Sequence, residues 1–372
     1  MLSQRPKILF ILHLPPPIHG AGVMGMYIKD SLLVNEMFNA NYINLSTSAS
    51  LKQIGKGGWF KFLAFLRLQY LILKCLLNTR YDLCYMTISA KGVGFLKDFF
   101  IVLIMKLFKI KIVLHFHNKG VSLFQNNVFY NLLYKIAFKN SKIILLSPLL
   151  YSDISKYVNK INVFYCANGI PKIDMDSKTS SRPLNNRPFR ILFFSNMMKE
   201  KGVYVLLEAC KLLKLKNINF ECNFVGDWSD ISEGNFVNEL IKNELTSMVF
   251  AHGKKYNEDK ITFFQSADVF IFPSLNETFG LVILEAMQFG MPVIATDEGG
   301  ISDIVEDGET GFLVPKGGSI ALVEKIEFLI NNPEIIIKMG KAGKKRFKEL
   351  FLLETFEKNI CTILNQVLKS NE

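Results

Sequence analysis

Glu277 and Glu285 stand with seven residues between them in the window Phe272–Met287, and their surroundings give that spacing its meaning. An apolar run ends at Phe272, a polar loop carries Glu277, and a helix is expected to begin near Gly280. Glu285 then lies about a turn and a half inside the helix. A helix start leaves N–H groups without partners, here those of Gly280, Leu281 and Val282, and the dipole makes them an anion site. The two carboxylates cannot bind an anion themselves. They can accept hydrogen bonds from hydroxyls on either side of a diphosphate, a ribose on one side and a sugar on the other. An isolated pair of this kind would read as one dipole-favoured glutamate and one solvated one; the whole string argues for more.

Three further segments carry candidate groups. Phe194–Gly202 runs from an expected strand into a helix and holds Asn196, Lys199 and Lys201. A lysine there opposes the helix dipole but can neutralise a leaving diphosphate. Pro15–Gly22 follows the first strand, and Gly20 and Gly22 allow a ligand close to the backbone or simply make a tight turn. In Val113–Gly120, His115 and His117 share one face of a strand by its two-residue period. A histidine pair at this spacing suggests metal, but no third ligand is evident, so none is expected. Asp174 and Asp176 form an Asp-x-Asp that follows no apolar strand and reads as solvated surface.

The elements that must position these groups alternate in type. Strands are expected at Lys7–Leu12, Asn41–Leu45, Leu83–Thr87, Lys111–Phe116, Lys142–Leu146 and Asn162–Tyr165, with helices near 22–36, 58–77, 93–108, 126–139 and 148–158. A polar segment with three prolines, 171–188, is a linker. A second series follows, with strands Arg190–Phe194, Asn219–Val225, Met248–Ala251, Val269–Phe272 and Pro292–Ala295. Its helices lie near 203–214, 234–245, 257–266, after Gly280, 319–331 and 333–347. Continuous apolar strands alternating with helices imply parallel sheets covered on both faces. The domains are therefore 1–170 and 189–354, and a C-terminal helix near 355–372 is able to pack back on the first.

Composition narrows the class. At 372 residues with 49% hydrophobic content, the chain can form two cores, and no low-complexity tract suggests disorder. Residues 1–180 hold 22 Lys and Arg against 7 Asp and Glu, a net +15; the rest holds 22 against 26, a net −4, which together give +11. The first half thus attracts a polyanion. No base-reading motif is present and Lys outnumbers Arg, so an anionic membrane surface is expected and nucleic acid is not. Ile8–Leu12 is too short for a signal peptide and lacks a cleavage site. Phe95–Leu114 is interrupted by Lys97, Asp98, Lys106, Lys109 and Lys111, so it does not span a bilayer. In 58–77, Arg67, Lys74 and Asn78 share one face and nearly everything else is apolar. That segment is either a core helix with one solvated stripe or a helix at the membrane interface. Six scattered cysteines without a CxxC pair suit reduced thiols in a cytoplasmic protein.

The Glu277/Glu285 window, followed by Gly290–Ala295, Gly299-Gly300 and Gly308–Val314, closely resembles the retaining glycosyltransferase family 4. The resemblance is strong over 190–350 and looser in the first half, where Asn168-Gly169-Ile170 ends the sixth strand. It implies the α/β GT-B fold, two Rossmann-like doubly wound domains facing across a cleft. It also implies an enzyme of the hexosyltransferase class that moves a sugar from a nucleotide-diphosphate sugar, UDP before GDP, to a glycan or lipid-linked acceptor. The setting would be cell-surface polysaccharide synthesis on the inner face of the membrane.

By the same resemblance Glu277 contacts the donor sugar and Glu285 the ribose, while the backbone of Phe279, Gly280, Leu281 and Val282 holds the diphosphate. Lys201 neutralises the leaving group, Gly20, Ala21 and Gly22 face the sugar and phosphates, and His117 lies near the reacting carbon. No metal or cofactor is expected, the nucleotide-sugar being a substrate. Asn196 departs from the pattern, which has an arginine there, so a two-cation clamp would need Lys199 as the substitute. That departure supports a rival, a binding subunit without catalysis. A sugar-nucleotide epimerase on the same fold is a second rival. A nicotinamide-dependent oxidoreductase is a third, and it lacks the expected GxGxxG.

Overall fold

The computed structural model describes residues 5–16, 18–46, 59–173 and 187–370; Asp174 and Asp176 lie outside them, as does most of the expected linker. The chain forms two compact units, Met1–Asn168 with Leu353–Glu372, and Gly169–Leu352.

The first unit is built on six parallel strands: β1 (Lys7–Leu12), β2 (Asn39–Asn44), β3 (Leu83–Ile88), β4 (Lys111–Phe116), β5 (Lys142–Leu145) and β6 (Val163–Tyr165). They are ordered β2-β1-β3-β4-β5-β6. Every residue of β3 is buried, as expected for a strand covered on both faces. The expected helix 22–36 is two helices, Gly20–Asp30 and Leu32–Met37. Ser31 breaks it: its backbone is extended and its Oγ accepts the Val34 N–H, capping the second piece. The segment expected as helix 126–139 is Val121–Phe124 and then Val128–Phe138. In place of a helix over 148–158 there is a short 3-10 segment, Pro148–Asp153. The helix Leu353–Lys369 packs on Leu32–Met37 and on β4. Lys111 Nζ there donates to the carbonyls of Val367 (3.3 Å), Leu368 (2.9 Å) and Ser370 (2.7 Å), placing a cation at the helix's C-terminal end.

The second unit also has six parallel strands: β7 (Phe189–Phe194), β8 (Phe220–Val225), β9 (Val249–Ala251), β10 (Val269–Phe272), β11 (Val293–Thr296) and β12 (Gly311–Val314). Their order is β12-β11-β10-β7-β8-β9. The twelfth strand was not among those expected. Its first residue is a glycine because the strand lies so close to β11 that a Cβ there would sit 2.0 Å from the Val293 carbonyl oxygen. Strand order reverses between β7 and β10, so the loops that follow these two strands leave the sheet side by side at its carboxyl edge. In doubly wound sheets that is where ligands bind.

Candidate functional site

The loops after β7 and β10 are tied together by backbone. Leu275 N–H donates to the Glu200 carbonyl (2.8 Å), as does the Ser274 hydroxyl (3.1 Å), and Asn276 Nδ2 reaches the Glu200 carboxylate (3.3 Å). Gly202 permits the approach: its φ is +78°, and a Cβ there would lie 1.9 Å from the Pro273 carbonyl oxygen. Held this way, Lys201 Nζ is 2.7 Å from Glu277 Oε2.

Glu277 is also fixed from its own loop and from below. Its Oε1 accepts the N–H groups of Thr278 (2.9 Å) and Phe279 (3.4 Å). The Gly299-Gly300 pair cradles the loop: a Cβ on Gly299 would be 2.2 Å from the Glu277 carbonyl oxygen, and Gly300 N–H donates to the Thr278 carbonyl (2.9 Å). Gly280, left-handed at φ +94°, then turns the chain into the helix Leu281–Gln288. Among the described residues the N–H groups of Gly280, Leu281 and Val282 donate to no acceptor. The Phe279 N–H, expected to join them, is turned to Glu277. The result is a carboxylate, an ammonium and three open amides at one junction. This is an arrangement that can receive an anion bearing hydroxyls.

Glu285 sits on the same helix, half-buried, with Oε1 2.6 Å from Lys260 Nζ. Lys260 was missed in the sequence because it lies 25 residues away on another helix, Asn257–Ser266, in no recognisable motif. Asn196 is half-buried after β7, and Lys199 is exposed with its backbone N–H on the Asp230 carboxylate (3.1 Å). Of the two lysines, Lys201 is the one that reaches Glu277.

In the first unit, Gly20 begins a helix and His19 caps it, its Nδ1 accepting the Gly22 N–H (3.2 Å). Gly22 N–H is therefore occupied, whereas among the described residues the N–H groups of Gly20 and Ala21 have no acceptor. Farther along the helix, Gly25 packs on the first strand's loop: a Cβ there would be 2.1 Å from the His13 carbonyl oxygen. His115 is buried in β4 and hydrogen-bonded through Nδ1 to the Tyr85 hydroxyl. Its ring centre is 4.2 Å from that of His117, just beyond the strand. Both His117 ring nitrogens are buried and, among the described residues, have no hydrogen-bond partner. Burial, with His19 nearby, pushes His117 down to about 3. Burial, then Lys97, His19 and His117, holds His13 well below the usual histidine range. His117 is thus a neutral imidazole with a donor and an acceptor both unfilled, suited to a hydroxyl rather than to proton transfer at neutral pH. Among the described residues no three His, Cys, Asp or Glu side chains are grouped so as to hold a metal ion.

Residues 174–346 match the family described as glycosyl transferases group 1. The capsular polysaccharide biosynthesis glycosyltransferase CapM of Staphylococcus aureus is 32% identical over 60% of this chain and 60% of its own length. The amylovoran biosynthesis glycosyltransferase AmsK of Erwinia amylovora is 26% identical over 49% of this chain and 46% of its own. The chain thus spans less than two thirds of the curated relatives it matches. Among solved structures, HepE of Anabaena in complex with UDP and glucose superposes with a TM-score of 0.72 at 19% identity, covering 97% of this chain and 99% of that one. A glycosyltransferase of Rickettsia africae does so with 0.75 at 20%, covering 99% and 100%. These likenesses establish the fold.

Proposed function

We propose that this chain, with its glycosyl transferases group 1 domain and GT-B fold, is a retaining glycosyltransferase that draws a sugar from a nucleotide-diphosphate donor. The observation that carries the reading is the junction of Lys201, Glu277 and the open amides of Gly280, Leu281 and Val282. The amides and Lys201 take the diphosphate, Glu277 the sugar hydroxyls and Glu285 the ribose. The bond from the anomeric carbon to the diphosphate oxygen breaks as the acceptor oxygen bonds on the same face. The acceptor proton passes to the departing diphosphate, so no separate base is needed. Charge that develops on the leaving group meets Lys201 and a helix start, so a metal ion is not required. In the first unit, neutral His117 offers a hydrogen bond to a sugar hydroxyl.

UDP is the favoured donor nucleotide, supported by the UDP and UDP-glucose complexes of HepE. A glycan or lipid-linked acceptor in polysaccharide synthesis is supported by the names of CapM and AmsK. The test is transfer from a panel of UDP- and GDP-sugars, with the anomeric configuration of the product read by NMR. An inverted product, or donor binding without transfer to any acceptor, would overturn the reading.

We further propose that the enzyme is cytoplasmic and held on the inner face of the membrane, a reading supported by the first unit's surface. Among the described side chains of the helix Trp59–Asn78 only Leu68, Ile72 and Leu76 are buried, while Trp59 (69%), Tyr70 (63%) and Leu77 (68%) are exposed. A core helix with one solvated stripe would show the reverse. The neighbouring helices Gly92–Leu107 and Val128–Phe138 expose Phe100, Leu107, Phe129 and Leu132 beside basic Lys135 and Lys139. Apolar side chains among cations suit an anionic bilayer surface. Among the described residues no helix is long and apolar enough to cross a membrane.

A further inference from the structure

Glu285 has a partner outside its own motif. Lys260 Nζ is 2.6 Å from Glu285 Oε1 and also lies 5.0 Å from the centre of the Phe194 ring, the last residue of β7. Phe264 stacks on Phe194 with ring centres 5.4 Å apart and planes 27° apart. The lysine is thus held by a carboxylate and an aromatic face from two other elements. Lys201 makes the corresponding pair with Glu277, so each carboxylate of the window has its own lysine, drawn from a different part of the chain.

We propose that Lys260 is a positioning residue for the nucleotide: it fixes one oxygen of Glu285 so that the other is presented to the ribose hydroxyls. This rests on the proposed role of Glu285. A glutamate on a helix has several rotamers, and a fixed cation removes that freedom before the ligand arrives. The Phe194 face holds the ammonium in place by cation–π attraction while the carboxylate engages the sugar. An ordinary half-exposed ion pair would contribute little and would not care whether the ligand has hydroxyls.

The experiment measures calorimetric affinity for UDP and GDP, each beside its 2′,3′-dideoxy counterpart, in the wild type, Lys260→Met, Lys260→Arg and Glu285→Gln. Melting temperatures serve as the folding control. Lys260→Met should weaken the hydroxylated nucleotide by roughly tenfold, as expected for a lost charge-assisted hydrogen bond. It should leave the dideoxy form nearly unchanged, and Lys260→Arg should recover most of the loss. Equal weakening of both forms, or of neither, overturns the inference. If Glu285→Gln abolishes discrimination and Lys260→Met does not, only the Lys260 role falls. If Glu285→Gln also keeps discrimination, or no nucleotide binds, the ribose role of Glu285 falls and this inference with it.

Discussion

Lys201 and Glu277 are 76 residues apart in sequence and 2.7 Å apart in space, because they end loops that leave adjacent parallel strands, β7 and β10. Removing either takes away the other's ion-pair partner at a half-buried position. Lys201→Ala and Glu277→Ala should each lower kcat by roughly ten- to a hundredfold, corresponding to about 1.5–3 kcal/mol for a hydrogen bond to a charged group. The double variant should lose less than the sum, since the two act as a unit. Glu285→Ala should instead mainly raise KM for the donor. Normal kinetics in all three would remove the window from the site.

Gly299 supports Glu277 from beneath, and its replacement should separate two costs. Gly299 (φ +59°) has the Glu277 carbonyl where a Cβ would go; Gly308 (φ +79°) has open space. Gly308→Ala should cost only the left-handed backbone, about 1 kcal/mol. Gly299→Ala should cost more in urea denaturation and should also weaken donor binding. Equal losses would mean the loop yields without strain.

Folded His13, His115 and His117 all have pKa values below that of an unfolded histidine, burial being the largest cause in each. Between the folded and unfolded values the unfolded chain binds more protons, so stability is complete above about 6.5 and falls as pH drops. Each such histidine adds at most about 1.4 kcal/mol per pH unit. Urea midpoints between pH 6.5 and 5 should show this slope, and His117→Gln should reduce it. Activity between pH 6 and 8 should show no limb from His117. A slope unchanged by the substitution would contradict the buried, neutral state.

Transfer should survive EDTA, since Lys201 and the helix start supply the positive charge. Loss of activity with EDTA and its return with manganese or magnesium would refute this.

Full-length protein should float with anionic liposomes and less with neutral ones, binding more weakly as salt rises. Replacing Phe62, Leu66, Tyr70 and Leu77, all exposed, with Ser should remove the salt-resistant part of the binding. Unchanged flotation by that variant would place the membrane contact elsewhere.

Strands of mostly large apolar residues were readable from sequence: β1, β4 and β10 have the expected ends, because burial on both faces favours such a run. β12 was not readable, since a run that opens on Gly311 resembles a loop motif until β11 is beside it. Ser31 was hidden in a helical pattern because a cap and an interior polar residue look alike without neighbours. In the site, Glu277, Glu285 and Lys201 are carried by local strings. Lys260 and the contact of Tyr85 with His115 arise only when separate elements meet. The need for glycine at Gly25 is likewise legible only in the fold, since it depends on what lies opposite, here the His13 carbonyl.

The helix Leu353–Lys369 belongs to the first unit although all of Gly169–Leu352 precedes it. During synthesis, β1 to β6 emerge early with Lys111 and the Leu32–Met37 helix lacking the surface they finally pack on. The second unit is the first whose residues are all available, and it can close before the first is complete. The earliest-made half of the chain therefore waits longest for its last piece. The surface that the helix finally covers stays open to solvent throughout that interval.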